Sequence, residues 1–151
     1  HEGGMREATV IRWPGKIPAG ATNDELMTTM DLLPTFAKLA GAQVPTDRVI
    51  DGRDIWPVLT GKAATPHQAF FYHRVERLAA VRSGQWKLRA NGENPTELYD
   101  LENDIGEKKN LIKARPEVVQ RLTGYLTEFA QDMAENSRSA AFVTNPQPLA
   151  K

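Results

Sequence analysis

The strongest constraint on the fold lies in the last third of the chain. Val118, Leu122, Tyr125, Leu126, Phe129 and Met133 recur at i, i+4, i+7, i+8, i+11 and i+15, the spacing that forms one apolar stripe on an α-helix. Pro116 falls at the first helical position, where its missing N–H costs little, and Glu117 follows at the positive end of the helix dipole. Arg121, Glu128 and Gln131 lie off the stripe. A face this regular predicts docking on a sheet, and the preceding residues supply one. Short runs at 70–72, 78–82, 86–90 and 97–101 are separated by turn pairs such as Ser83-Gly84 and Asn91-Gly92. They predict a small antiparallel sheet of about four strands, with a hairpin at Ser83-Gly84. The predicted class is α/β (α+β for the segment taken alone), the sheet being packed by the C-terminal helix.

The first sixty residues carry a different grammar. The β-branched and aromatic run at 8–13 fits a short strand broken by Pro14-Gly15, and 26–30 is a second strand candidate. Asp31 suits an N-cap, Pro34 a first turn and Gly41 a stop; Leu32, Leu33, Phe36, Leu39 and Ala40 between them predict a short buried helix over 32–40. Residues 42–53 read as a loop, and Asp54 as the cap of a brief helix through Leu59, closed by Gly61. Residues 137–151 have no period and read as an extended tail.

Composition narrows the chemistry. The 151 residues suit one domain, since domains cluster at about 100–150 residues. No cysteine is present, which rules out a disulfide framework, a thiolate metal site and a cysteine nucleophile within these residues. With 19 basic and 19 acidic residues the formal charge is zero, so the footprint of a general nucleic-acid binder is missing. Apolar runs are only a few residues long, so nothing in the sequence spans a membrane. The start, His1-Glu2-Gly3-Gly4-Met5, has neither the basic nor the apolar region of a signal peptide.

Local motifs are sparse. Gly3-Gly4 lacks the later glycines of a dinucleotide loop, and Gly61-Lys62 is followed by alanine rather than Ser or Thr. His1, His67 and His73 are not spaced as zinc ligands. Ser83, Ser137 and Ser139 sit on no nucleophile elbow. Asp47-Arg48 with Asp51-Gly52-Arg53-Asp54 has the close acidic spacing of a calcium loop, but its arginines oppose a cation, and turn and cap bonding is the stronger reading. Glu107-Lys108-Lys109 reads as a solvated turn. His73-Arg74 ends the aromatic run Phe70-Phe71-Tyr72; either it is an ordinary charged edge or it faces an anion, for which arginine offers a planar fork.

The order of the short motifs is more specific than any one of them. Glu2-Gly3-Gly4-Met5-Arg6, Trp13-Pro14-Gly15-Lys16-Ile17, Asp31-Leu32-Leu33-Pro34-Thr35 and Leu39-Ala40-Gly41 come first. Asp51-Gly52-Arg53-Asp54, Pro57-Val58-Leu59-Thr60-Gly61 and the run from Val81 to Leu88 follow. Glu97-Leu98-Tyr99-Asp100-Leu101, Asp104, Glu107 and Asn110-Leu111 complete the series ahead of the final helix. In this order they resemble the C-terminal portion of a sulfatase, arylsulfatase-like and of the alkaline phosphatase superfamily, over about residues 1–135. His1 stands where an aromatic is usual in that family, Glu7-Ala8 where Val-Pro is usual, and Ile105 where a proline is common.

The resemblance implies a division of labour. Residues 1–61 would be the end of the catalytic α/β domain, with a strand–helix segment belonging to a larger sheet, and 62–136 a C-terminal subdomain. The family's C/S-x-P-x-R signature, whose Cys or Ser becomes formylglycine, is missing from the chain, as are the acidic residues that hold the divalent cation. No catalytic or metal residue is therefore expected here. Calcium and formylglycine are implied for the complete enzyme, and the family's active-site lysine would precede His1.

Glu2, Gly3, Gly4 and Arg6 would form a loop closing toward the pocket, and His73 and Arg74 would stand on the substrate side. Expected partners are the N-terminal catalytic part and a sulfated small molecule or glycan, without nucleic acid or membrane, and with self-association through exposed edges. The complete enzyme would be periplasmic or secreted. Two alternatives stay open: a phosphonate or phosphate ester hydrolase of the same superfamily, and a non-catalytic domain that binds sulfated glycans.

Overall fold

A computed structural model describes residues 1–75 and 77–136; the predicted tail at 137–151 lies outside them. Four strands, β1 (Phe70–Arg74), β2 (Arg77–Ser83), β3 (Trp86–Asn91) and β4 (Asn94–Asp100), form an antiparallel meander in the order β1-β2-β3-β4. The β2–β3 hairpin closes where Ser83 pairs with Trp86, which leaves Gly84 and Gln85 as the two-residue turn. Gly84 takes φ +57, a conformation that suits glycine at the first central position. The fourth strand starts three residues before the expected run. Pro95 can pair there because β4 is an edge and the register shifts at Arg89/Ala90.

The alternation of strand side chains builds two unlike faces. Val81, Leu88 and Leu98 point one way and are fully buried against Val118, Leu122 and Leu126 of the last helix, which spans Pro116–Asn136. Phe71 stacks on Phe129 at 3.9 Å between ring centroids. The predicted stripe is thus the docked face, save that Met133 lies beyond the sheet and is 46% exposed. The opposite face of the sheet carries Tyr72, Arg82, Lys87 and Tyr99, the residues that alternate with the core set.

Ahead of the sheet stand two short helices, α1 (Leu32–Leu39) and α2 (Trp56–Leu59), so the final helix is α3. Asp54 Oδ1 accepts the Trp56 N–H at 3.0 Å in a local turn ahead of α2. The N-cap position belongs to Ile55 and no side chain caps the helix, so Asp54 is not the expected cap. Three further expectations fail. Residues 8–13 and 26–30 are not strands, because among the described residues no strand runs beside them and β-branched side chains alone build no ladder. Thr29–Asp31 instead forms a turn of 3₁₀-helix. Asp31 makes no side-chain cap to α1. The helix is not buried on its apolar stripe either: Pro34 and Thr35 are covered, while Leu33 and Phe36 are 55% and 57% exposed. No helix among the described residues is long and apolar enough to cross a membrane.

Two outcomes follow from this packing. Leu122→Ala removes a fully buried side chain between α3 and the sheet, and urea unfolding should show a loss of about 2–5 kcal/mol, whereas Met133→Ala should stay within about 0.5 kcal/mol. A second outcome concerns acid. The side-chain hydrogen bond from Asn103, helped by Gln85, holds the Asp100 carboxyl below its ordinary range. A depressed folded-state value stabilises above the unfolded value of about 3.9 and is lost as pH falls through the folded one. Asn103→Ala should therefore narrow the gap between the unfolding midpoints at pH 6 and pH 2.5.

Candidate functional site

The chain opens on a turn that the sheet holds in place. Glu2–Gly4 forms one 3₁₀ turn, closed by Met5 N–H and Arg6 N–H to the Glu2 carbonyl at 2.8 and 2.7 Å. The Glu2 side chain points into the polar face of the sheet, where it is almost entirely buried. Lys87 Nζ donates to Glu2 Oε1 at 2.7 Å and to Glu107 Oε1 at 2.8 Å. Tyr72 Oη donates to Glu2 Oε1 at 3.3 Å, Arg82 pairs with Glu2 Oε2 at 3.4 Å, and Lys87 Nζ lies 4.7 Å from the centroid of the Tyr72 ring. Burial, and next the negative charge of Glu2, raise the Tyr72 phenol above its ordinary value, so it remains a donor.

Glu107 overturns the expectation of a solvated turn: the residue is only 5% exposed and sits at φ +52. The cause is local. Asp104 Oδ2 accepts the N–H groups of Lys108 and Lys109, both at 2.8 Å, and the Asp104 carbonyl accepts that of Glu107 at 3.0 Å. This folded loop leaves the two lysines outside and drives Glu107 inward. The left-handed backbone costs about 1–3 kcal/mol, which the attraction to a buried lysine offsets. Glu107 Oε2 has no hydrogen-bond partner, and His1 Nδ1 is 3.7 Å away.

A second buried carboxylate organises the middle of the chain. Asp31, fully buried, accepts three N–H donors: Thr28 at 2.7 Å, Arg53 at 2.7 Å and His67 Nε2 at 2.8 Å. The carboxylate only accepts, so Nε2 of His67 carries the proton. Nearby, Thr35 Oγ1 accepts the Ile55 N–H at 2.9 Å. Gly52 is needed because the Met30 carbonyl occupies the space of a side chain: a Cβ there would lie 2.1 Å from that oxygen.

The other sequence candidates lie around these anchors. His73 and Arg74 are exposed at the end of β1 and line one hollow with His1 and Met5 of the opening turn and with Arg77 and Arg89. The His73 ring is 5.7 Å from Phe129. Gly3 and Gly4 are exposed, and Arg6 turns away from this hollow to pair with Asp24 at 2.9 Å. Lys87, Tyr72, Arg82, Asp31 and His67 belong to no sequence motif that marks a site. Lys87 alone carried a signal: a lysine alternating between Trp86 and Leu88 in a core strand.

The donor set does not suit a metal ion. Among the described residues no group of three or more His, Asp or Glu could hold one. The carboxylates that do converge, Glu2 and Glu107, do so on an ammonium group. In the acidic loop at 47–54, Asp47 pairs with its neighbour Arg48 and Asp54 with Lys38 of α1.

Asp31→Ala removes the fully buried acceptor of three donors and should cost about 3 kcal/mol or more in chemical unfolding, with Asp31→Asn milder because one acceptor oxygen survives. Gly52→Ala should cost about 1–3 kcal/mol by the same measurement, since backbone must move.

Comparison with known proteins places this arrangement. Human arylsulfatase A is 36% identical over 81% of this chain and 30% of its own length. Rat arylsulfatase G is 31% identical over 95% of the chain and 32% of its length. Among solved structures, Ps i-CgsB matches with TM-score 0.67 and 31% identity over 83% of this chain and 29% of that one. BT4656, solved with its substrate D-glucosamine-2-N,6-O-disulfate, matches with TM-score 0.65 and 26% identity over 85% of this chain and 28% of that one. The chain thus spans about a third or less of the relatives it resembles. The family model described as N-sulphoglucosamine sulphohydrolase, C-terminal, matches residues 1–133, and the chain belongs to that family as the C-terminal portion of a sulfatase.

Proposed function

We propose that this chain supplies scaffold and one wall of the substrate pocket in an enzyme that hydrolyses sulfate esters. The observation that carries the reading is the joining of the opening Glu2–Gly4 turn to the sheet through Lys87, which sets that turn beside the hollow lined by His73 and Arg74. The catalytic part, with formylglycine as nucleophile and calcium as charge stabiliser, lies on residues outside this chain. A transferring sulfuryl group develops charge on its oxygens that a cation and basic side chains stabilise. Within this chain, the backbone of Glu2, Gly3, Gly4 and Arg6 forms the loop closing toward the pocket, with the Glu2 side chain turned into the sheet and that of Arg6 held by Asp24. His73 and Arg74 stand on the substrate side.

The substrate class is a sulfated saccharide. Support comes from the disulfated glucosamine bound by BT4656 and from the name of a canine relative, N-acetylgalactosamine-6-sulfatase, 48% identical over 57% of this chain and 16% of its own length. Residues 1–61 belong with the catalytic domain and 62–136 form the C-terminal subdomain. The exposed apolar side chains of α1, Leu33 and Phe36, together with Val10 and Trp13, are the surface on which the catalytic part rests. Left uncovered, such a surface promotes self-association.

Two measurements check this reading. The 151 residues alone, with calcium present, should not turn over an aryl sulfate ester; clear turnover would sink the division of labour. In titration with a sulfated glucosamine, Arg74→Ala should weaken binding by about tenfold or more, the worth of one charge-assisted hydrogen bond, and unchanged affinity would remove Arg74 from the substrate side.

A further inference from the structure

We propose that Lys87 and Glu107 are positioning residues for the opening turn, a buried clamp that fixes Glu2–Arg6 in one orientation against the sheet. The inference rests on the reading above that this turn borders the substrate pocket, and it assigns to that reading Lys87, at the wall of the hollow, and Glu107, behind it.

The turn has little of its own to hold it. Its three backbone hydrogen bonds, Gly4 to His1 at 3.3 Å and Met5 and Arg6 to Glu2, fix its shape but not its place. Gly3 and Gly4 bring no side chain to the sheet, and beyond their chain neighbours no atom lies within 4 Å of where a Cβ would be. Two adjacent glycines also lose the most conformational freedom on ordering. Location therefore comes from Glu2.

Glu107 reads the turn twice. Its Oε1 accepts the backbone N–H of Glu2 at 3.1 Å and the Lys87 ammonium at 2.8 Å, while Lys87 reaches the Glu2 carboxylate at 2.7 Å. Side chain and backbone of one residue are thus gripped by a lysine on β3 and a glutamate on the loop after β4. The side chains of Glu2, Lys87 and Glu107 are only 3%, 5% and 0% exposed. Water cannot replace these partners, and a charge left alone there is strongly unfavourable. Arg82, at the rim, brings the set of two carboxylates and two cations to neutrality.

The cluster lies on the sheet face opposite α3, so the α3 core does not depend on it directly. Loss of the clamp should free the turn while the sheet stays closed, which a purely global role would not produce.

Native-state amide hydrogen exchange on the 151-residue chain tests this. In Lys87→Met, protection of the Met5 and Arg6 amides should fall by about tenfold or more, while the Leu88 amide in β3 keeps its protection. Equal protection of Met5 and Arg6 in parent and variant would overturn the clamp. So would their loss only in step with Leu88, which marks global opening. If Lys87→Met does not fold, Glu107→Gln serves: it keeps an acceptor for the Glu2 N–H but removes the charge facing Lys87, and the same pattern is expected with a smaller loss. Titrating the parent chain with glucosamine-6-sulfate reads the functional premise separately. Shifts at Gly3 and Gly4 support the pocket-wall reading; no shift there, with the tenfold loss still present, overturns that reading and leaves the clamp standing.

Discussion

Lys87 sits in the interior of the described chain between two carboxylates that lie 105 positions apart in the sequence. An ammonium group at this depth is tolerated only because Glu2 and Glu107 both lie within 2.8 Å, Tyr72 offers its ring face, and Arg82 balances the second negative charge. The left-handed backbone of Glu107 and the Asp104 loop that enforces it become intelligible once the lysine is seen as what they serve. So does the burial of Glu2, a residue on an otherwise exposed turn.

The two buried carboxylate systems divide the work of assembly. Glu2 and Glu107 tie the opening turn to the polar face of the sheet. Asp31 gathers Thr28, Arg53 and His67, so the start of α1, the loop before α2 and the segment leading into β1 meet at one acceptor. In both cases polar contacts join segments that share little apolar core, while Leu78, Val81, Leu88 and Leu98 with α3 form the cluster that carries the hydrophobic burial. For a sulfatase C-terminal portion this is a coherent plan: a stable sheet–helix unit, with the less covered first sixty residues fastened to it by charge.

Much of this was legible in the residues. The α3 stripe, the four strand runs and the Ser83-Gly84 hairpin follow from periodicity and turn chemistry, which act over a few neighbours. The ordered motifs carried the family. What failed was whatever depended on distant partners. The β-branched run at 8–13 has the propensity of a strand but no ladder among the described residues, and the apolar stripe of α1 faces outward rather than into a core. By its neighbours Asp31 suits a local cap, whereas its three donors span residues 28 to 67.

By itself, the sequence determined the elements of the sheet–helix unit, its family, and the lack of a cysteine or signature serine to act as nucleophile in these residues. Only the tertiary structure decided that Glu107, flanked by two lysines and a glycine, turns inward, and that Lys87 meets Glu2 across 85 positions. The reason is physical. Hydrophobic period and turn preference are properties of neighbours in the chain. The state of a charged side chain depends on which opposite charges the fold brings within about 3 Å and how much water it removes around them.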